Sequence, residues 1–160
     1  MISPQLARAL GVAGLRWRPT SGDMFVIDQS GFEGDVFTLS DMTIEAHEFA
    51  TGTVLGFNGT TEWALDSVAL DDALWLPAEH QLRALLGSTF RVLRRIAAGA
   101  AGDGSDDSFG LGDDGGDEYE VEIVLAGQTR VFAAIDPADA YAGALLVLIG
   151  ASSDSVEPSL

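Results

Sequence analysis

The amino-acid sequence predicts an α+β fold in which a β-meander and a later hairpin form one antiparallel sheet, with N-terminal, central and C-terminal helices packed on it. Three observations lead to this prediction. Short β-prone segments separated by turn residues fill positions 23–66, a spacing typical of antiparallel strands. A second pair of alternating segments occupies 119–134. Helical periodicity with start signals occurs near both ends of the chain and at its centre.

The first predicted element is a helix that begins at Ser3-Pro4 and ends at Gly14. Serine is a favourable N-cap, and proline fits the first helical position because its missing N–H has no partner there. Leu6 and Leu10 then recur at helical spacing. The sequence therefore predicts an amphipathic helix that buries one side.

Five short strands are predicted next, at positions 23–28, 35–40, 43–49, 53–57 and 60–66. The last two enclose Asn58-Gly59, the dipeptide most typical of a type I′ hairpin turn, because both central residues need a positive φ. This turn places Trp63 opposite Val54, with its indole over the bare backbone of Gly52 and Gly56. We expect this hairpin to lie at the centre of the core.

The middle of the chain carries weaker signals. Ser67 is predicted to cap a helical turn that runs to Ala73, and Pro77 opens a helix at 78–86 that ends at Gly87. Segment 89–96 combines a three-residue apolar repeat, which favours a helix, with Val92 and nearby glycines, which favour a strand. We interpret it as a strand.

The last third of the chain is predicted to hold a disordered insertion, a hairpin and a helix. Glycine and aspartate dominate positions 97–117, a composition that buries too little apolar surface to offset its ordering entropy. Segments 119–125 and 129–134 form the hairpin. Asp136-Pro137 starts a helix that Gly150 stops. The chain is thus expected to be a single domain, 1–150, followed by a flexible acidic tail, 151–160.

Composition limits the possible partners. The formal charge of −17 and the pI of about 4.1 argue against nucleic acid and anionic membranes, because each phosphate contact would oppose the field of the protein. Cysteine is absent, which excludes disulfides and thiolate chemistry. No signal-peptide pattern occurs, and the longest apolar run, 140–149, is about half of a membrane span. A cytoplasmic location is predicted.

The sequence carries no recognisable catalytic or cofactor motif. Lysine is absent, so there is no Walker A loop, and neither a Gly-x-Ser-x-Gly elbow nor a Gly-x-Gly-x-x-Gly loop occurs. An EF-hand starting at Asp103 would need glycine at its sixth position, where Ser108 stands. We therefore expect no cofactor and no enzyme activity, with weak calcium association of the acidic loop as the alternative.

Seven residues are candidates for an interaction surface. Tryptophan is a favoured interface residue, although core packing is the alternative for an aromatic ring on a strand. The histidines do not form the helical pair of a zinc protease, and the arginines either neutralise nearby aspartates or mark a docking spot for an acidic partner. The candidates are Trp63, Trp75, His47, His80, Arg91, Arg94 and Arg95.

The segment 54–68, followed by Leu74-Trp75-Leu76-Pro77, resembles a family of short uncharacterised bacterial proteins that often carry a pilus-assembly label. The opening Gly14-Leu15-Arg16-Trp17 and the later Asp136-Pro137-Ala138-Asp139 are similar as well, whereas the Gly/Asp-rich insertion departs from the family. The phosphate-binding loop of the pilus ATPase-like proteins is absent. The resemblance implies a partner role in a pilus or secretion machine and supplies no catalytic residues.

Three functions follow from these observations. The leading hypothesis is a non-enzymatic cytoplasmic module that binds another protein, whose identity the sequence does not reveal. The first alternative is a small-ligand or metal-binding, enzyme-like domain, which requires His47 and His80 to converge beside the tryptophans. The second is an acidic mimic of nucleic acid, which requires carboxylates in rows on a rigid face.

Overall fold

The computed structural model of the chain describes residues 1–29, 31–32, 34–40, 44–57, 67–97 and 116–154. Within these ranges the chain forms three α-helices and nine strands, which confirms the predicted α+β class. The strands make three antiparallel sheets of three strands each, whereas the sequence predicted one sheet. In chain order the elements are α1 (Pro4–Val12), β1 (Met24–Ile27), β2 (Val36–Thr38), β3 (Ile44–Phe49), β4 (Gly52–Phe57), β5 (Ser67–Ala69), β6 (Ala73–Leu76), α2 (Glu79–Leu86), β7 (Phe90–Ile96), β8 (Glu118–Leu125), β9 (Gln128–Ala134) and α3 (Pro137–Asp154).

The N-terminal sheet has the strand order β2-β1-β6. Strand β1 pairs with β2 as predicted, but its other neighbour is β6, with Val26 opposite Leu74. The helical turn predicted from Ser67 to Ala73 is therefore wrong: β5 and β6 flank a single 3-10 turn, Leu70–Asp72. Because β6 is covered on both sides, its apolar residues run continuously and show no alternation.

The middle sheet has the order β3-β4-β5. Val54 on β4 lies opposite His47 on one side and Ala69 on the other, so the predicted pairing of Val54 with Trp63 is wrong. Asn58-Gly59 and Trp63 themselves lie outside the described residues. The observed register places Leu55 opposite Val68, and both side chains are buried. Burial of this pair explains the register, since a shift of one residue would turn both side chains to the other face.

The predicted five-stranded meander is divided because β2 and β3 do not form a ladder. The two segments share an isolated bridge, Ser40 with Ile44. Short connections usually join neighbouring strands, which is why the sequence predicted a continuous meander. Here the chain leaves the N-terminal sheet after β2 and starts a new sheet at β3.

The C-terminal sheet has the order β7-β8-β9 and packs against α3. Strand β7 confirms the strand interpretation of segment 89–96, and β8 with β9 confirms the later hairpin. The register shifts by one residue between Phe90 and Val92, so Arg91 lies in a bulge. Within α3, Gly143 lets the helix approach the ring of Phe132: a Cβ at this position would lie 3.6 Å from the Phe132 Cδ1 atom.

Buried apolar side chains form two clusters, and the N-terminal sheet lies between them. The helical core joins the three helices to the C-terminal sheet, with Tyr141 and Leu145 among its buried residues. The sheet core joins the N-terminal and middle sheets. Strand β1 sends Phe25 to the sheet core and Val26 to the helical core, so both faces of this short strand are used.

The helix boundaries mostly match the prediction. The first helix ends before Gly14, which has a φ of 109°, and the second begins after Ala78 and ends at Gly87. The third runs on to Asp154, so the predicted stop at Gly150 is wrong and residues 151–154 of the predicted tail are helical. Of the predicted insertion 97–117, residues 98–115 lie outside the described part of the chain, as do 155–160 of the tail.

None of the helices in the described part of the chain is both long enough and apolar enough to cross a bilayer.

Replacing Gly150 by alanine tests the end of α3. Gly150 has ordinary helical backbone geometry, and a Cβ there meets no atom within 4 Å. We expect Gly150→Ala to raise the free energy of unfolding by about 0.5 kcal/mol, because alanine loses less backbone entropy in a helix. Urea unfolding measures the change. The matched control is Gly87→Ala, where a φ of 53° strains alanine and should lower stability. A loss of stability in Gly150→Ala would mean that the helix ends at this residue.

Tyr141 gives the fold a predictable alkaline sensitivity. Its side chain is 2% exposed, and burial, followed by the nearby Glu79 carboxylate, raises the pKa of the phenol. Above pH 10 the unfolded chain loses this proton while the folded chain keeps it, so stability falls as pH rises through this window. Urea unfolding between pH 8 and pH 11 should show a steeper decline for the wild type than for Tyr141→Phe. Parallel curves would contradict the assignment.

Candidate functional site

The structure distributes the predicted interaction residues over several elements. Trp63 lies outside the described residues. His47 lies on β3, Trp75 on β6 and His80 on α2, and each of the three lines a different cavity. The arginines lie together on β7. The seven candidates therefore do not form one site.

The two histidines do not converge. His47 is exposed, and its Nε2 atom lies 3.8 Å from the Oε2 atom of Glu45. Its imidazole covers the bare backbone of Gly56, where a Cβ would lie 2.9 Å from the His47 Cδ2 atom. This is the position that the sequence analysis gave to the Trp63 indole. His80 is exposed beside Glu79 and Arg83.

Across the described residues, no group of three or more His, Cys, Asp or Glu side chains is arranged so that it could hold a metal ion.

The β7 arginines interact mainly with neighbouring acidic groups. Arg94 NH1 donates to Glu122 Oε2 at 2.8 Å, and Arg95 Nε donates to Asp117 Oδ2 at 2.8 Å. The hydrogen bond to Asp117 raises the pKa of Arg95. Arg91 donates to the backbone oxygens of Ser88 and Phe90. Arg95 thus neutralises an aspartate, one of the two roles that the sequence suggested, whereas Arg94 neutralises a glutamate.

The C-terminal sheet has two chemically different faces. Its core face carries Phe90, Leu93, Val121, Ile123 and Phe132, all of which pack in the helical core against α3. The opposite face, which we call the outer face, carries a row of glutamates down the central strand: Glu118, Glu120 and Glu122.

The glutamate row is flanked by apolar side chains on both neighbouring strands, except that Arg94 on β7 lies directly opposite the middle glutamate, Glu120. Across β8, Glu122 lies opposite Val92 on β7 and Val131 on β9, while Glu118 lies opposite Ile96. Val131 is 50% exposed, and none of these apolar residues belongs to the helical core. Of the described helices, α3 packs on this sheet, and it does so through the core face.

The charges of the row are unevenly compensated. Glu122 is held by Arg94, whereas Glu118 and Glu120 form no ion pair with any described residue. In the sequence, Glu120 and Glu122 alternate with apolar residues, so a strand at 119–125 places these two glutamates on one face. The sequence analysis missed the apolar flanks, because these depend on the registers of β7 and β9 and on the bulge at Arg91.

Apart from the outer face, the structure contains a cavity of about 280 Å³ between α1, the 3-10 turn and β6. Its walls include the indoles of Trp17 and Trp75, which are nearly parallel, with an angle of 5° and centroids 6.3 Å apart. Arg16 and Asp71 also line it, and both side chains are exposed. The Nε1 atom of Trp75 is buried and has no hydrogen-bond partner in the described part of the chain.

The position of Trp17 is set by the buried carboxylate of Asp23. Asp23 is 3% exposed, and its Oδ2 atom accepts hydrogen bonds from Trp17 Nε1 at 2.8 Å and from the backbone N and the Oγ1 of Thr20. Its Oδ1 atom accepts from Gln81 Nε2 at 2.6 Å. The Oε1 atom of Gln81 in turn accepts from the backbone N of Ala78 and caps α2. One carboxylate thus joins a cavity wall to the start of a helix.

Comparison with known proteins adds no relative to this description: no family model, no curated protein and no solved structure matches the chain.

Replacing Asp23 by asparagine tests this network. Four donors point at the carboxylate, and an amide would direct its own NH₂ group at some of them. We expect Asp23→Asn to lower the free energy of unfolding by about 3 kcal/mol, because buried donors lose a charged acceptor. The thermal midpoint should fall by about 9 °C.

The matched control is Asp28→Asn. Its carboxylate pairs with Arg8, but the Asp28 side chain is 61% exposed, so the loss should stay below about 1 kcal/mol. Equal losses in the two variants would contradict the structural role of Asp23.

Proposed function

We propose that the protein is a non-enzymatic interaction module that binds an extended, basic segment of a partner protein on its outer face. The observation that carries this proposal is the row of Glu118, Glu120 and Glu122 on a central strand, bordered by the exposed Val131 and by the partly exposed Val92 and Ile96. Carboxylates attract lysine and arginine, and the negative charge of the whole chain, −17, favours encounter with a basic partner.

The spacing of the row defines the partner more closely. Alternate residues of a strand are about 6.8 Å apart, on the same face. A partner segment in extended conformation places every second side chain at the same interval. Lysines or arginines at alternate positions therefore meet successive carboxylates in register, whereas a run of consecutive basic residues sends half of its charges away from the face.

The apolar residues beside the glutamate row can contact the alkyl part of a basic side chain. Lysine and arginine carry alkyl stems that pack on apolar surface while their charged ends stay in water. Val92, Ile96 and Val131 supply such a surface beside the glutamates. Because Arg94 pairs with Glu122 and also lies directly opposite Glu120, the strongest attraction is expected at Glu118.

The separation of the histidines supports a binding role over the enzyme-like alternative. That alternative required His47 and His80 to meet beside the tryptophans, and they line different cavities. A cytoplasmic location and the exclusion of nucleic acid and membranes as partners remain parts of the proposal, supported by composition. By resemblance alone, a component of a pilus or secretion assembly is one candidate for the partner.

A second candidate function, the acidic mimic of nucleic acid, is favoured by the same glutamate row, because it required carboxylates aligned on a rigid face. It demands in addition that the basic partner use the same surface to bind nucleic acid. Competition between this protein and an oligonucleotide for one identified partner separates the two functions.

A pair of synthetic peptides tests the proposed mode of binding. One alternates lysine and threonine, and the other has the same composition with its lysines in one block. At low ionic strength we expect the alternating peptide to bind more tightly, because all its lysines reach the row together. Fluorescence anisotropy of labelled peptides measures both affinities, and added salt should weaken the binding.

The matched variants locate the binding face. Glu118→Gln with Glu120→Gln should weaken the alternating peptide about tenfold, at about threefold for each exposed charge pair. The control, Glu48→Gln with Asp72→Asn, removes the same two negative charges from exposed positions elsewhere and should leave affinity nearly unchanged. Equal binding of both peptides, or equal losses in both double variants, would show attraction by net charge alone and would contradict the proposal.

A further inference from the structure

We propose that the cavity lined by Trp17 and Trp75 binds a free α-amino acid with an aromatic side chain. This site is separate from the outer face, and the proposal does not depend on the interaction with a basic segment. It rests on three properties that meet in one cavity: a wall of two stacked indoles, one exposed cation and one exposed anion.

The walls of the cavity favour a flat apolar group. Trp17 and Trp75 stack on each other, with ring centroids 6.3 Å apart, and form one aromatic wall, while Ala7 and Gly11 of α1 line the same space with minimal side chains. A Cβ at Gly11 would meet no atom within 4 Å, so the space beside the helix is open. Aromatic rings pack well in offset or edge contacts with indoles.

The charged residues favour a zwitterion. Arg16 and Asp71 both line the cavity, yet they form no ion pair with each other or with any other described residue. An α-amino acid carries a carboxylate and an ammonium on the same carbon. It can therefore bridge two opposite charges that do not touch, with the carboxylate at Arg16 and the ammonium at Asp71.

Trp75 is difficult to explain by folding stability alone. A buried donor without an acceptor, such as its Nε1 atom, costs about 1–3 kcal/mol. Phenylalanine would avoid this cost at the same position. The larger ring surface that the indole adds to the cavity wall supplies a reason for tryptophan.

The size of the cavity restricts the ligand. Its volume of about 280 Å³ lies at the lower end of small-molecule sites. Nucleotides and larger cofactors exceed it, whereas one amino acid with an aromatic ring is of the right size.

Four small molecules test the assignment with the full-length protein. L-phenylalanine carries both charges and the ring, 3-phenylpropionate lacks the ammonium, phenethylamine lacks the carboxylate, and glycine lacks the ring. We expect L-phenylalanine to raise the thermal midpoint in a concentration-dependent manner. In isothermal titration calorimetry each single-charge analogue should bind at least about tenfold more weakly, because one charged hydrogen bond is lost. Glycine should produce no shift.

Variants of Arg16 and Asp71 test which charged group of the ligand each residue binds. Arg16→Gln should weaken L-phenylalanine at least about tenfold while leaving phenethylamine unchanged, and Asp71→Asn should spare 3-phenylpropionate instead. The controls Arg18→Gln and Asp72→Asn change neighbouring exposed residues that do not line the cavity, and they should bind like the wild type. All four positions are exposed, and circular dichroism confirms that each variant is folded.

The walls are tested by Trp75→Phe. We expect this variant to keep or raise the thermal midpoint of the free protein, because the unpaired donor is gone, and to bind L-phenylalanine more weakly. The proposal is overturned if L-phenylalanine produces no shift up to its solubility limit. It is also overturned if either single-charge analogue binds as tightly, or if the Arg16 and Arg18 variants lose affinity equally.

Discussion

The buried carboxylate of Asp23 is the interaction on which the arrangement of the N-terminal half depends. An ionised group at 3% exposure is costly unless its oxygen atoms accept hydrogen bonds, and here the donors come from positions 17, 20 and 81. The backbone of the same residue accepts from the N–H of Leu39. The network is complete only when the segment after α1, the end of β2 and the start of α2 lie in place, so it couples distant parts of the chain.

Two consequences for function follow from this coupling. Trp17 is held by the network, and the cavity wall that it forms with Trp75 is therefore part of the folded framework. The N-terminal sheet is used on both faces, by the sheet core and by the helical core. The C-terminal sheet differs, because α3 covers its core face while the glutamate row and its apolar neighbours stay on the outer face. The fold thus provides one cavity lined by two indoles and one open acidic surface.

Local sequence signals predicted the helices and strands well where residues close together in the chain determine the structure. Proline at the first position of α1 and α3 and just before the N-cap of α2, and glycine after the first two helices, mark most of the helix boundaries, and the alternation of β8 puts its glutamates on one face. Prediction failed where packing against a segment distant in the chain determines the structure. The run at β6 lacks alternation because its residues pack in both cores, and Gly150 is tolerated inside α3 although glycine often ends a helix. Of the residues at the two proposed sites, only Trp75 and Arg94 were among the candidates from the sequence, and neither grouping was predicted.

The sequence by itself determined the α+β class, the acidic charge, and the type and place of most elements, because propensity and periodicity act between residues close in the chain. Only the tertiary structure decided which strands pair. Val54 lies opposite Ala69 because burying Leu55 with Val68 favours that register, and β1 accepts β6 from far along the chain. It also brought Arg16, Trp17, Asp71 and Trp75 to one cavity. Apolar periodicity specifies that a face must be covered, but the covering segment depends on packing and on the entropy of closing long loops.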